Sequence, residues 1–325
     1  MTSGTLEGAT LDRVVSAAVT APSIHNTQPW RFRLAAGGTA VEVCSAPDRS
    51  LRFTDPRHRA LHISLGAALF NLRVALAHEG WRAAVQILPD PSRPDVVARV
   101  HVVQRVGAPP GLAGLYDAVW RRHSSRRPFS DDRLPASAVT ALSEAARREQ
   151  AALRIPTGTV AAHLLAATAE AERRNERDPA RRAESRSWVR QAGRDGIPMT
   201  ALGPQDSTGG LPMRAFAGAG RGGRPGPAPF EKRATIAVLT TEHDRNADWV
   251  AAGQALERVL LTATVLEVRF SLLYQAIEWP DIRAELRAHD PGLGAYPQML
   301  MRLGYGPEGP ATPRRHVREV VADTP

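Results

Sequence analysis

The chain has 325 residues, 43% of them hydrophobic, a net charge of +9 at pH 7 and one cysteine, Cys44. That length and apolar content accommodate two ordinary domains or one large one with a full core, which excludes global disorder. A single cysteine excludes an intrachain disulfide and a thiolate metal cluster.

No continuous apolar run approaches the ~20 residues of a membrane span, and Met1 to Gly8 lacks a signal-peptide core. A cytoplasmic protein with no membrane partner is therefore expected. Lys232 is the only lysine, so almost all of the positive charge is arginine. The arginines are dispersed among acids and alanines, with few aromatics between them to stack on bases, so no nucleic-acid partner is expected. A smaller anion such as a phosphate remains a target for a few placed arginines.

In chain order, Thr10 reads as the N-cap of a helix with Leu11, Val14, Val15, Ala18 and Val19 on one face. Pro22 stops it. Ser23, His25, Asn26, Thr27 and Gln28 then place five polar side chains in six positions, and Pro29 biases Gln28 toward an extended backbone. This stretch reads either as a capped helix-to-strand connection or as a binding loop. Trp30 to Leu34 and Ala40 to Cys44 read as a hairpin about Ala36-Gly37-Gly38-Thr39. A helix from about Leu61 to His78, apolar nearly all round, is expected to be buried and to end at Gly80. Arg82 to Leu88 and Val96 to Val106 read as two antiparallel strands.

After the Pro-Pro-Gly break at 109–111, Leu112, Leu115, Tyr116, Val119 and Trp120 mark an amphipathic helix. A further helix follows Pro135, with Val139 and Leu142 inward. Ala161 to Gln191 reads as charged helix. Residues 192–230, rich in Gly and Pro with little periodicity, form a connection of a length that reads either as a functional lid or as disordered. Arg233 to Thr240 reads as a strand, Asp248 to Leu266 as a second mostly apolar helix, Pro280 as preceding a short helix, and Gln298 to Gly304 as a last strand.

A faint internal repeat relates Ile63-Ser64-Leu65-Gly66-Ala67-Ala68-Leu69 to Val250-Ala251-Ala252-Gly253-Gln254-Ala255-Leu256. Gly66 and Gly253 mark close helix packing. The halves differ in their polar stretches: the first carries the Ser-Asn-Gln loop, the second Arg-His-Ser-Ser-Arg. In the latter, Arg122, Ser124 and Arg126 alternate and so face one way in an extended segment. They read either as a solvated basic run or as a phosphate cradle of two guanidinia and a hydroxyl.

Arg122-His123-Ser124-Ser125-Arg126 with Phe129, and Pro22-Ser23-Ile24-His25-Asn26-Thr27-Gln28-Pro29-Trp30, resemble the two signature segments of flavin-dependent nitroreductases, in reversed order. That order, the buried helix after Ile63, and Leu303-Gly304-Tyr305-Gly306 leading to Pro313-Arg314-Arg315 are similar to the Acg-type FMN-binding nitroreductase-like family. The resemblance implies an α+β nitroreductase fold of two fused halves, about 1–110 and 111–325. These would form a pseudo-dimer with antiparallel-type central sheets flanked by helices, the 192–230 insertion being a lid. It implies one FMN per chain. Arg122 and Ser124 would hold the phosphate, aided by Arg314 and Arg315. Arg126 would lie near the flavin N1–O2 edge, and Pro22, Ser23, Asn26 and Gln28 would come from the other half. Leu273, within Ser271 to Gln275, would lie by the N5 edge.

The implied activity is hydride transfer from NAD(P)H to flavin N5 and on to a small-molecule electron acceptor, a nitroaromatic, quinone or similar. The alternative is a flavin-sequestering protein whose closed lid permits little turnover. In either case no protein nucleophile and no metal is required. His25 and His123 are read as hydrogen-bonding or packing residues. Fusion makes a monomer acting as a pseudo-dimer, or a weak homo-oligomer, the expected assembly. The chain departs from many simple nitroreductases at Leu266-Glu267-Val268, where they carry a Leu-Gly pair.

Overall fold

The structure, a computed structural model, describes residues 5–105, 111–216, 225–290 and 295–322. Helix α1 (Gly8–Ala18) buries Leu11, Val14, Val15 and Ala18, the stripe its apolar spacing predicts. Thr10 is not its N-cap. The helix starts two residues earlier, and the Thr10 hydroxyl accepts a bond from Arg13 (3.1 Å). Strands β1 (Trp30–Leu34) and β2 (Ala40–Ser45) form the expected hairpin, turning through Gly37 and Gly38 at φ +76° and +68°. Helix α2 (Arg59–His78) ends before Gly80, and β3 (Trp81–Ile87) and β4 (Val96–Arg105) pair antiparallel. Pro109 and Pro110 of the expected break lie outside the described residues.

Helix α3 (Tyr116–Arg121) is shorter than the amphipathic pattern from Leu112 predicts, and Trp120 is 45% exposed rather than inward. Then come α4 (Ala136–Arg147), β5 (Ala152–Arg154), α5 (Gly158–Arg177), α6 (Pro179–Ser187), β6 (Val189–Arg190) and β7 (Ile197–Pro198). The chain continues with β8 (Thr235–Thr241), α7 (Asn246–Val265), β9 (Arg269–Leu272), α8 (Pro280–His289) and β10 (Tyr296–Gly304), and ends with α9 (Val317–Val320) and β11 (Val321–Ala322). The short strands β5, β6, β7, β9 and β11 are not visible as periodicity; at two to four residues, the strand that accepts their hydrogen bonds defines them.

The molecule is α+β, and its two larger sheets share one plan. In the first, the strand order is β11-β1-β2-β4-β3; in the second it is β5-β8-β10-β9. Without β11, each is a four-stranded antiparallel sheet in which the strand before the long helix pairs the last strand. β11 adds in parallel to β1, bringing the C-terminal segment back to the first sheet.

The long helices α2 and α7 lie between the sheets and cross on the repeat read from the sequence. A Cβ on Gly66 would stand 2.2 Å from the Val250 carbonyl oxygen and 2.9 Å from the Gly253 Cα. A Cβ on Gly253 would stand 2.1 Å from the Ile63 oxygen and 2.8 Å from the Gly66 Cα. Each helix also gives a residue to the core of the other side. Val250 joins the cluster of α1, β1, β2, β4 and α2, and Ile63 joins that of α4, β8, α7 and β10.

Helix α2 has the length and mean composition of a membrane span, although His62, Ser64, Asn71 and Arg73 interrupt its apolar run. Its most apolar window is 94% buried within the protein, and only Arg73 and His78 of its residues are not buried.

Gly253→Ala is expected to destabilise the protein by about 3 kcal/mol or more, since the added methyl meets backbone rather than a movable side chain. Urea unfolding measures this. A loss below about 0.5 kcal/mol would show that the helices do not cross this closely.

Candidate functional site

The polar stretch after α1 is bent by its own side chains. The Ser23 hydroxyl accepts from the Gln28 backbone N–H (2.9 Å), and the Ser64 hydroxyl of α2 accepts from the Ile24 N–H (3.2 Å). His25, Asn26 and Gln28 take left-handed backbone, at φ +49°, +54° and +51°. Gln28 is therefore not extended, although Pro29 follows it. Its side chain is tied at both ends, donating to the Arg194 carbonyl (2.7 Å) and accepting from the Arg315 N–H (2.8 Å). Non-glycine residues hold such conformations only where their surroundings over-determine them.

The stretch Arg122 to Phe129 runs extended past β9, with the Ser125 N–H on the Phe270 carbonyl (2.8 Å) and the Ser125 hydroxyl on Pro307 (2.9 Å). Arg122, Ser124 and Arg126 line one cavity as the alternation predicts; His123 lines it as well, and of this run only Ser125 faces away. The cavity, of about 670 Å³ including its mouth, is walled by four further segments. Pro22, Ser23, His25 and Asn26 come from the first polar stretch, and Leu272 and Tyr274 from the end of β9. Ile197 and Ala201 come from the 192–230 region, and Pro310, Thr312 and Arg314 from the C-terminal segment. A second, apolar cavity of about 390 Å³ shares Pro22, Ser23, Leu272 and Tyr274 and extends between Ile63, Leu256 and Met299.

Charge is concentrated at one end. Arg122 is buried and Arg314 half-buried, and both donate to the Thr20 carbonyl (2.9 Å each). Arg314 also donates to the Asn26 carboxamide oxygen (3.1 Å) and the Thr312 hydroxyl (2.6 Å). Burial, with the Arg122 charge beside it, pushes the Arg314 guanidinium down to about 9. Glu257 of α7, fully buried, approaches Arg122 Nε to 3.3 Å without hydrogen-bond geometry. Burial raises the Glu257 carboxyl, against the opposing charges of Arg122 and Arg314 and a contact with Asn71. Two arginines thus face one acid, and the Nε atoms of both have no hydrogen-bond partner. Such an end has the chemistry to take an anion.

At the other end, Arg126 donates to the Ala201 carbonyl (2.8 Å) and lies 5.5 Å over the Phe216 ring. His25 packs edge-on to Phe216 and against Tyr274, with both ring nitrogens buried and unpartnered. Burial holds this imidazole neutral, and the guanidinia of Arg214 and Arg126 add to the effect.

Of the ten residues singled out from the sequence, Pro22, Ser23, Asn26, Arg122, Ser124, Arg126 and Arg314 line the cavity. Gln28, Leu273 and Arg315 do not. Gln28 is the tie described above. Leu273 is buried in the apolar cluster with Leu164, Ile236 and Leu300, its neighbours Leu272 and Tyr274 facing the cavity instead. Arg315 turns its guanidinium to the Glu319 carbonyl. The sequence reading did not single out Glu257, Thr20, Thr312 or Ala201. Glu257 carried a usable signal, a lone acid in the middle of an apolar helix. The backbone carbonyls of Thr20 and Ala201 carry none.

Because the folded protein holds His25 neutral, the unfolded chain binds the extra proton as pH falls below about 6.5. Stability present above that pH is then expected to decline by up to about 1.4 kcal/mol per pH unit on account of His25. Urea unfolding from pH 7.5 to 5 should show this slope, and His25→Gln should reduce it by that share. An identical slope in the variant would mean that the imidazole titrates as a free one.

No family model matches the chain. Its sequence is 35% identical over 317 residues to Rv3131 of Mycobacterium tuberculosis (strain ATCC 25618 / H37Rv), which bears the provisional name NAD(P)H nitroreductase, covering 96% of this chain and 91% of the relative. It is 29% identical over 315 residues to acg of the same strain, provisionally named in the same way, covering 94% and 93%. Among solved structures, a nitroreductase with bound FMN from Bacteroides fragilis superposes over 62% of this chain and 92% of its own, with 16% identity and a TM-score of 0.38. The full-length relationship to Rv3131 and acg shows that the chain belongs to the Acg-type branch of the nitroreductase superfamily.

Proposed function

We propose that the protein is an FMN-dependent oxidoreductase of nitroreductase type, taking hydride from NAD(P)H and passing it to a nitroaromatic, quinone or similar small acceptor. The observation that carries this reading is the meeting of two sequence-distant stretches, Pro22 to Asn26 and Arg122 to Arg126, with Arg314 around one cavity. The names of the relatives and the bound FMN of the Bacteroides structure point the same way.

The residues present suit FMN. Two guanidinia, each with a buried Nε that has no hydrogen-bond partner, and one opposing acid suit a phosphate dianion. In this reading Arg122, Ser124 and Arg314 hold the phosphate, and Arg126 places positive charge at the flavin N1–O2 edge. Pro22, Ser23 and Asn26 wall the other side. Gln28, Leu273 and Arg315 hold those walls in place through the bonds and packing described above. Bound flavin supplies a hydride-accepting and hydride-donating centre at N5. His25, neutral and with two unpartnered nitrogens, offers one donor and one acceptor without adding charge. Tyr274 and Ile197 exclude water, with Phe216 packed behind His25.

We also read the chain as two fused halves, about 1–110 and 111–325, with one cofactor per chain. The matching strand orders and the Gly66–Gly253 crossing support the repeat. The offset that takes Gly66 to Gly253 takes Asn71 to Arg258 and Glu257 to Phe70. There, Arg258 and Arg73 close on Glu149 (2.6 Å each) and over the Phe70 ring, leaving the mirror position filled.

A second reading, a flavin-holding protein with little turnover, has its own observation. The proposed 192–230 lid is bonded to the site, through Gly196 to Asn26, Arg194 to Gln28 and Ala201 to Arg126. Residues 217–224 of that region lie outside the described ones.

Arg122→Ala combined with Ser124→Ala is expected to cut FMN retention by more than about tenfold, since one charged and one neutral phosphate contact are lost. Unchanged retention, followed by visible absorbance after desalting, would refute the assigned phosphate site. Anaerobic addition of NADH or NADPH to the flavin-loaded protein should bleach the absorbance within seconds. Reduction by dithionite but not by either nucleotide would favour the flavin-holding reading. Failure to take up any FMN would overturn both.

A further inference from the structure

Helices α5 and α8 bring together three side chains that the cavity does not use: His163, Glu285 and His289. Glu285 and His289 are four residues apart on α8, one above the other on the same face. His163 comes from α5, and the two imidazole rings stack at 5.0 Å with 24° between their planes. His163 Nε2 is buried, has no hydrogen-bond partner, and lies 3.8 Å from the Glu285 carboxylate. One ligand atom from each residue lies within 4.8 Å of the other two.

We propose that these three residues form a binding site for a divalent transition metal ion of the zinc class, which clips α5 to α8. Bonds of about 2.1 Å at tetrahedral angles set ligand atoms about 3.4 Å apart. The observed spacing closes to that value with side-chain movements of about 1 Å by half-exposed groups. Two imidazoles and one carboxylate are a donor set for zinc, nickel or copper rather than for magnesium or calcium.

The nearby arginines do not compete for the carboxylate. Arg287 stacks on Tyr296, Arg283 pairs with Asp244, and Arg174 pairs with Asp281 and Glu170. A histidine–glutamate ion pair alone explains the arrangement poorly. At 3.8 Å, with the side chains 34% and 53% exposed, it contributes little, and it gives no role to the second imidazole.

The metal would act structurally. None of the three residues lines the cavity, but α5 anchors the segment that backs its wall at His25. The Glu172 carboxylate of α5 accepts from the Ala215 N–H (2.7 Å), next to Phe216, which packs on His25. Asn175 of α5 donates to Glu278 (3.2 Å), which in turn pairs with Arg214. Fixing α5 against α8 therefore fixes the support of Phe216, which backs His25 in the cavity wall.

The test uses the full chain without an affinity tag, stripped with chelator, titrated calorimetrically with Zn²⁺ and followed by thermal unfolding. One site with a micromolar dissociation constant and an upward shift of the unfolding midpoint is expected. Co²⁺ should give the visible absorption of a four-coordinate N/O site. His163→Ala, His289→Ala and Glu285→Gln should each weaken Zn²⁺ binding by more than about tenfold and abolish the midpoint shift. All three side chains are partly or fully exposed, so far-ultraviolet circular dichroism should be unchanged. No binding to the wild type below about 1 mM, or undiminished binding in the His163→Ala, His289→Ala double variant, would overturn the proposal.

Discussion

The structure depends on the crossing of α2 and α7 at Gly66 and Gly253. Each glycine lies against the backbone of the opposite helix, so the two axes come closer than any side chain would allow. Everything else is hung on that contact. Each sheet packs on its own helix, and Ile63 and Val250, three residues before each glycine, reach across into the opposite cores. Because interiors are close-packed, a shift at the crossing would be carried to both sheets. The polar stretch after α1 is tied to α2 through Ser64, while Glu257 rises from α7 beneath Arg122. The crossing therefore sets the relative position of the two groups of residues that wall the cavity.

The charged end of that cavity follows from burial. Isolated guanidinia are costly to bury, and the protein offsets the cost with the shared Thr20 carbonyl, the Asn26 and Thr312 oxygens and the Glu257 carboxylate. The compensation is incomplete, with two cations against one acid and two Nε atoms without partners. An incompletely satisfied cluster at the end of an open cavity favours an anion over water.

The 192–230 region shows how a long Gly/Pro-rich connection becomes specific. Its backbone carbonyls accept from Asn26, Gln28 and Arg126, and the Phe216 ring lies against Arg126. A buried pair of Arg214 with Glu278 and the packing of Phe216 on His25 hold its far end. Breaking one member of a buried pair of this kind leaves the other charged and unpaired, so this wall is held more firmly than its composition suggests.

Much of this was legible in the sequence by itself. Apolar periodicity marked α1, α2, α4, α7 and the longer strands, and turn residues marked the hairpins, because those signals are local. The Gly66 and Gly253 repeat was legible because close packing demands the smallest residue at one register. The alternation of Arg122, Ser124 and Arg126 was legible because extended backbone has a period of two. Only the tertiary structure decided the rest. Gln28 became a left-handed tie instead of an extended residue, since bonds to Ser23, Arg194 and Arg315 outweigh the local bias of Pro29. Leu272 and Tyr274, not Leu273, face the cavity, because the strand pairing of β9 sets which side each residue takes. β11 exists only because β1 offers it an edge almost 300 residues earlier in the chain. Local sequence encodes periodicity and turn chemistry, whereas partners supplied by distant backbone groups leave no trace in the side-chain pattern, so only the folded chain reveals them.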